Sequence, residues 1–264
     1  MNKLSKLFIA LKRLVKQPSL LNLIIDDPIA NKQEIIKKYN LPTGFNEINF
    51  SDLTKNQSLT LPLFSFGGGG SMPTDLLLLQ SLAKNISNCN YFEIGTWRGE
   101  SAYNVSAVAQ IVFTLNLSNE DLLQLNETQN YINQIAQFSK NIKNIEHLKG
   151  NSFTFDFSKF NKTIDLVFVD GDHRYPAVVN DTKKAFDLLK NKNSIIVWHD
   201  YAASPNELRY EVMLGILDGS PTWAHQHIYK VSNSLCAIYY PFKIESKAFN
   251  YPGEITKTFK VTIS

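Results

Sequence analysis

The order of its elements predicts an α/β protein, with a mostly parallel sheet covered by helices on both faces and an antiparallel hairpin at one side. Short apolar runs that suit buried strands, at 91–94, 111–117, 145–148, 164–169 and 194–198, alternate with stretches of helical periodicity. Two last runs, 227–231 and 235–240, flank Ser232-Asn233-Ser234 and read as a hairpin. Polar residues follow the apolar runs: Glu93, Asn116, Asp170, His199 and Asp200. In parallel strands all of them fall on one rim, at the carboxyl ends, where such sheets bind ligands.

Residues 1–63 read as a helical N-terminal extension, 64–242 as the main domain and 243–264 as a tail. In 1–17, Leu4, Leu7, Leu11 and Leu14 recur at helical spacing among Lys3, Lys6, Lys12, Arg13 and Lys16, the pattern of a basic amphipathic helix. Such a helix packs on its own domain, joins two subunits of a homo-oligomer, or lies on a membrane surface. No small-residue cleavage site follows it, so a signal peptide is not expected. Pro18, Pro28 and Pro42 divide the extension, and 31–39 reads as a second short helix. The extension holds no catalytic constellation.

Residues 64–73, Phe-Ser-Phe-Gly-Gly-Gly-Gly-Ser-Met-Pro, form a loop, because four glycines in a row suit neither a helix nor a strand interior. It is either a linker or a mobile lid. Ser71 or Thr74 is the expected cap of a leucine-rich helix over 75–85. The chain then reaches its organising stretch, Asn90 to Ser101. Strand, glycine turn and helix (101–108) follow one another, with Gly95 and Gly99 in the turn. Glu93 at the strand end disfavours a phosphate and suits a cationic or hydroxyl-rich ligand. Alone, Glu-x-Gly-x-x-x-Gly is a weak pattern. Further helices are expected over 122–139, 178–189 and 207–217.

The chain has 264 residues, 44% hydrophobic and 12% aromatic, enough for one large domain with a real core. A net charge of +3 is too small to imply nucleic acid. Cys89 and Cys236 make neither a disulfide framework nor a metal pattern, so reduced thiols and a cytoplasmic protein are expected. No apolar run approaches the roughly 20 residues of a membrane span. The turn is not Gly-x-Gly-x-x-Gly, which argues against a nicotinamide enzyme.

Three stretches, Phe92-Glu93-Ile94-Gly95-Thr96-Trp97-Arg98-Gly99-Glu100-Ser101, Asp165 through Asp170-Gly171-Asp172-His173-Arg174-Tyr175, and Ile195-Ile196-Val197-Trp198-His199-Asp200-Tyr201, together resemble class I S-adenosylmethionine-dependent methyltransferases. Within that family they look most like the small-molecule O-methyltransferase group with Asp-Gly-Asp-His after the fourth strand. The resemblance covers about residues 75–241. It implies a Rossmann-like, doubly wound, seven-stranded sheet whose last strand is antiparallel. It implies that Gly95 and Gly99 let the backbone approach the amino-acid part of the cofactor, with Glu93 near its ammonium group, and that Thr96 and Ser101 are also cofactor-binding. Asn151 or Ser152 would lie near the adenine, and Asp170 near the methionine part. The residue ending the second strand is acidic in the family and binds both ribose hydroxyls; here it is Asn116, which loses the charge-assisted bonds. Glu120, on the following turn, is a substitute.

Some similar O-methyltransferases hold magnesium or another divalent ion, and the matching positions are Asp170, His199 and Asp200. An imidazole in that set suits a transition metal better than magnesium. The general base of the catechol-type enzymes falls at His173, with Asp170 as its catalytic partner and Asp172 placed to orient it. The expected activity is methylation of a small hydroxylated acceptor, such as a sugar or natural product. A member resembling cephalosporin hydroxylases and a non-catalytic member that keeps the fold are the alternatives. Trp97, Tyr175, Trp198, Tyr201 and Trp223 are candidates to stack on an acceptor ring; His225 and His227 have no assigned role.

Overall fold

The computed structural model describes residues 2–21, 27–55 and 59–250. It forms two compact units, 1–42 and 43–264. The sequence reading draws its boundary near residue 63; the second unit takes in residues from Thr43 because they pair with the sheet. Residues 251–264 of the expected tail lie outside the described residues.

In the first unit, α1 (Lys3–Lys16) starts at Asn2, whose side chain accepts from the Ser5 N–H at 2.8 Å. A short 3-10 turn, Pro18–Leu21, follows it. Then comes α2 (Pro28–Tyr39), capped by Asp27 with Pro28 in its first turn and closed by Asn40 in the left-handed conformation. Among the described residues no helix is long and apolar enough to cross a membrane.

The second unit begins with β1 (Glu47–Ile48), the short α3 (Phe50–Leu53) and α4 (Pro73–Lys84). The expected caps of α4 are not used. Pro73 fixes the first turn, and the Asp75 carboxylate accepts from the Met72 N–H at 2.8 Å. Next come β2 (Asn90–Ile94), α5 (Glu100–Ser106) and β3 (Ile111–Asn116). The single helix expected over 122–139 is instead two short ones, α6 (Asn119–Gln124) and α7 (Gln129–Gln134). Asn126 takes a positive φ of 63° between them, and Thr128 caps the second. The polar run lacked the apolar face that would have held one long helix. The chain continues through β4 (Ile145–Lys149), β5 (Leu166–Val169), α8 (Tyr175–Leu188) and β6 (Ile195–Trp198). The ribbon β7 (Ala202–Ser204) and β8 (Glu207–Leu208) replaces the expected first turn of the next helix, so α9 spans Tyr210–Gly219. Strands β9 (Ile228–Val231), β10 (Ala237–Tyr239) and β11 (Ser246–Lys247) complete the sheet.

The strand order is β11-β1-β9-β10-β6-β5-β2-β3-β4. Strands β2 to β6 pair in parallel, and β10 lies antiparallel between β6 and β9, as the hairpin required. The seven strands from β9 to β4 are those the sequence predicts. The sheet has nine because β1 joins β9 and β11 joins β1. A buried ion pair, Lys230 Nζ to Glu47 Oε2 at 2.7 Å, fastens that added edge.

Alternation along β2 sends Tyr91 to a core shared with Leu78, Leu79 and Leu82 of α4 and Val105 of α5. Phe92 faces the other way, against Phe113, Phe157 and Phe160. Phe186 of α8 packs near the Trp198 ring, and the Trp198 indole N–H donates to Thr182 at 2.9 Å. The chain builds outward from β2 to β3 and β4, then returns to place β5 on the other side of β2. The carboxyl ends of β2 and β5 therefore flank the switch point, where open α/β sheets form a crevice.

Candidate active site

The turn after β2 is held by main-chain constraints. Gly95 (φ 102°) lies against the Asp170 carbonyl, and a Cβ there would collide with it. Gly99 (φ 80°) lies against Ser139 in the same way. Trp97 between them also has positive φ, 41°. The Trp97 and Arg98 carbonyls accept from the Ala136 and Phe138 N–H groups at 2.7 and 2.9 Å. Both glycines are thus demanded by neighbouring protein, whatever binds above them.

Glu93 is fully buried beneath this turn. Parallel register sets it opposite Thr114 of β3. Its carboxylate accepts from Thr114 Oγ1 at 2.7 Å, Ser101 Oγ at 2.8 Å and the Tyr91 hydroxyl at 2.9 Å. Thr96 Oγ1 meets Thr114 Oγ1 at 2.5 Å. Burial pushes the Glu93 carboxyl up to about 7, although the three hydroxyl donors and its desolvation act in opposite senses. Glu93, Ser101 and Thr96 therefore point their side chains into the protein, as an internal network under the turn. Asn116 lies closer to the opening: its amide oxygen faces the Thr96 N–H at 3.4 Å, and its carbonyl accepts from the Gly150 N–H at 2.9 Å. Asn151, exposed after β4, turns its side chain to the Phe153 N–H at 3.0 Å. Ser152 receives a long contact, 3.5 Å, from Asn180. Glu120 is exposed in the first turn of α6.

On the other side of the crevice, His199 is buried among carboxylates. Its Nε2 lies 3.2 Å from Asp75, and its Nδ1 lies 3.1 Å from Asp170 and 3.3 Å from Asp200. Nδ1 is aligned with neither of its oxygens and makes no directed hydrogen bond. Burial opposes protonation of this imidazole, but Asp170, Asp200 and Asp75 outweigh it and hold its pKa well above the ordinary value. Burial raises the Asp170 carboxyl despite the nearby imidazole. The Asp200 carboxyl ends lower than usual, because His199 and Arg209, 3.2 Å away, overcome its burial. Asp170, His199 and Asp200 each offer a ligand atom, all within 4.8 Å of one another. A shallow, open cleft lies beside them, lined on its polar side by Asp170, Asp172, His173 and Asp200 and on its apolar side by Val169, Val178 and Val212.

His173 is exposed on this cleft. Asp172 does not serve to orient it: its carboxylate instead bonds the Arg174 N–H at 3.0 Å and the Arg174 guanidinium. Of the five aromatics, Trp198 and Tyr201 are core residues. Trp97 stacks on Tyr131 with ring centroids 4.4 Å apart, and Tyr175 donates to Asp218 at 2.8 Å. Trp223 is 60% exposed and packs edge-on against Phe186 and Tyr239.

Two site residues were missed. Asp75 is fully buried and fixes His199, the Met72 N–H and, at 2.9 Å, the Leu235 N–H. Its signal was an acid in the third position of a helix opening on Pro73, which reads as an ordinary first-turn carboxylate. Arg209 sits just before α9 and carried no signal at all.

Residues 92–201 match a family model described as a methyltransferase domain. A curated relative, an uncharacterized protein of Acanthamoeba polyphaga mimivirus, is 30% identical over 131 residues; the match covers 47% of this chain and 58% of that protein, less than two thirds of its length. Among solved structures, cofactor-bound Rv0187 from MTB is similar at 15% identity and a TM-score of 0.44, over 74% of this chain and 88% of that one. The SAH-bound Podospora anserina methyltransferase PaMTH1 is similar at 16% identity and 0.43, over 72% and 86%.

Proposed function

We propose that this chain is an S-adenosylmethionine-dependent methyltransferase that methylates a hydroxyl of a small acceptor, with a divalent metal at Asp170, His199 and Asp200. The observation that carries the reading is the extent of the methyltransferase-domain match, 92–201, which begins in β2 and takes in both the glycine turn and the His199/Asp200 pair. The glycine turn, Asp170 and the His199/Asp200 pair thus belong to one matched segment, while Asp75 and Arg209 lie outside it.

The residues present fit the cofactor. The crevice offers a carboxylate for an ammonium group at Asp170 and an amide for two ribose hydroxyls at Asn116, with the 150–152 turn beyond it for the adenine. They also fit a metal. His199 Nδ1 is buried without a directed partner and faces two carboxylate oxygens, while Asp75 holds the opposite ring nitrogen. A carboxylate behind a histidine is how ligating imidazoles are oriented. One nitrogen and two oxygens favour manganese, iron or zinc over magnesium.

When bound, the cofactor supplies an electrophilic methyl group and the metal lowers the pKa of the acceptor hydroxyl. The chain supplies position and proton transfer. Asp170 and Asp200 hold the acceptor's end of the cleft; Val178 and Val212 give it an apolar wall. His173, exposed on the cleft, takes the hydroxyl proton on an imidazole nitrogen.

The test is calorimetric titration with S-adenosylmethionine and S-adenosylhomocysteine, with and without manganese. Micromolar binding of both, with a manganese effect lost in Asp200→Ala, is expected. Asn116→Asp restores a charge-assisted bond to the ribose and should tighten binding about tenfold. Failure of both ligands to bind overturns the reading.

A further inference from the structure

Helix α1 has five basic side chains, Lys3, Lys6, Lys12, Arg13 and Lys16, and no acidic one. At 3.6 residues per turn, Leu14, Leu7, Leu11, Leu4, Val15 and Phe8 fall within one arc of about 120°, and the basic residues occupy the remainder with Ser5, Ile9 and Ala10. No residue of α1 is buried; Leu4, Phe8 and Val15 are 76%, 78% and 84% exposed. A contiguous apolar stripe of this kind marks a contact surface.

Charge decides what covers it. A second copy of α1 would bring five further positive charges against the first five. The cores of protein interfaces are also depleted in lysine. An anionic lipid surface satisfies both faces at once: the apolar arc sinks to the headgroup–acyl boundary, and the lysines and arginine flanking it meet lipid phosphates and carboxylates. We propose that α1 lies in the plane of an anionic phospholipid surface and anchors the protein there. Each basic side chain near such a surface contributes roughly a fivefold gain in binding, so five of them together with the apolar arc make a useful though reversible anchor. The inference is independent of the methyltransferase reading.

The test is co-sedimentation of the full chain with vesicles of phosphatidylcholine alone, or with phosphatidylserine as about a third of the lipid. Binding is expected to the anionic vesicles, weakened at high salt. The double variant Leu4→Glu/Phe8→Glu should abolish it. The triple variant Lys6→Gln/Lys12→Gln/Arg13→Gln should weaken it roughly a hundredfold while leaving the thermal melt unchanged. Absence of binding to either vesicle overturns the proposal, and so does binding that survives Leu4→Glu/Phe8→Glu. A self-associated protein that ignores vesicles and becomes monomeric in Leu4→Glu/Phe8→Glu also overturns it, and identifies the face as a contact between copies. Calorimetry with S-adenosylmethionine should give the same result in all these variants, which separates this failure from failure of the enzyme reading.

Discussion

From Glu93 to Ser101 one continuous segment forms a side of the crevice, braced by Thr114, 136–139 and Asp170, and hydroxyls beneath it converge on one buried carboxyl. The His199 side is assembled differently. Asp75, Asp170, the His199/Asp200 pair and Arg209 come from four separate segments, brought together by strand order. The first side is rigid because backbone packs on backbone. The second is polar, with an imidazole nitrogen that lies 3.1 and 3.3 Å from two carboxylates. The turn is fixed by close main-chain packing, and the cluster by convergence of charged side chains.

The largest expected effect breaks the scaffold side. Gly95→Val adds a β-branched side chain at φ 102° against the Asp170 carbonyl. Backbone strain and overpacking together should cost about 5 kcal/mol and leave no cooperative unfolding transition in urea. Gly68→Ala, where a Cβ meets no atom within 4 Å, is the control and should change the midpoint little. Equal effects from the two would mean that the turn is not held as described.

Next comes the cluster side. Asp75→Ala orphans the Leu235 and Met72 N–H groups and removes a carboxylate from His199, which should cost about 4 kcal/mol in chemical denaturation. Asp75→Asn keeps the shape but sets an amide against donors. Its stability loss should be smaller, while manganese affinity measured by calorimetry should fall between 10- and 100-fold, about what loss of a ligand's orienting partner costs. Unchanged manganese binding in Asp75→Asn would show that Asp75 supports the fold alone.

The third effect is a pH dependence that belongs to the scaffold. Glu93 has a folded-state value of about 7 against an ordinary 4.5, so between those values the folded protein binds the more protons. Its contribution is therefore present below about 4.5, is lost as pH rises toward 7, and is flat above. The loss amounts to about 3 kcal/mol. Glu93→Gln has no such proton to lose, so the difference in unfolding free energy between the two proteins should change by that amount across the window. A constant difference would mean that Glu93 stays ionised in the fold.

The contrast also explains what the sequence could show. Alternating apolar runs located the sheet, its five parallel strands and the hairpin, since those follow from local pattern. The glycines are legible as a turn that needs positive φ, which both adopt; that they also clear space for Asp170 and Ser139 is not legible, because those neighbours come from distant segments. Glu93 was visible as a strand-end acid. Its inward role depends on register, Glu93 opposite Thr114, which no local pattern carries. Asp75 was hidden for the same reason at longer range, since its partners are 124 and 160 residues away. The helix expected over 122–139 breaks at 126–128, because in this polar run Asn126 ends one helix and Thr128 starts the next, and no apolar stripe bridges them.

The smallest expected effect concerns the four-glycine loop, where the choice between linker and lid turns on one carbonyl. Gly68 O accepts from Arg98 at 3.0 Å and from the Trp97 indole at 3.3 Å, so the loop is tied to the glycine turn at its middle. Its start is held separately: the Ser65 N–H donates to Glu100 at 2.8 Å. Arg98→Ala removes the stronger of the two middle ties, each worth about 1 kcal/mol, and keeps the start anchored. Amide hydrogen exchange at Gly67 to Gly70 should quicken about fivefold, with Ser65 unchanged and global stability within about 0.5 kcal/mol. A lid would also show its mobility in function, as weaker S-adenosylmethionine binding in the same variant. Faster exchange with unaltered cofactor binding would make the segment a linker that happens to rest on the turn.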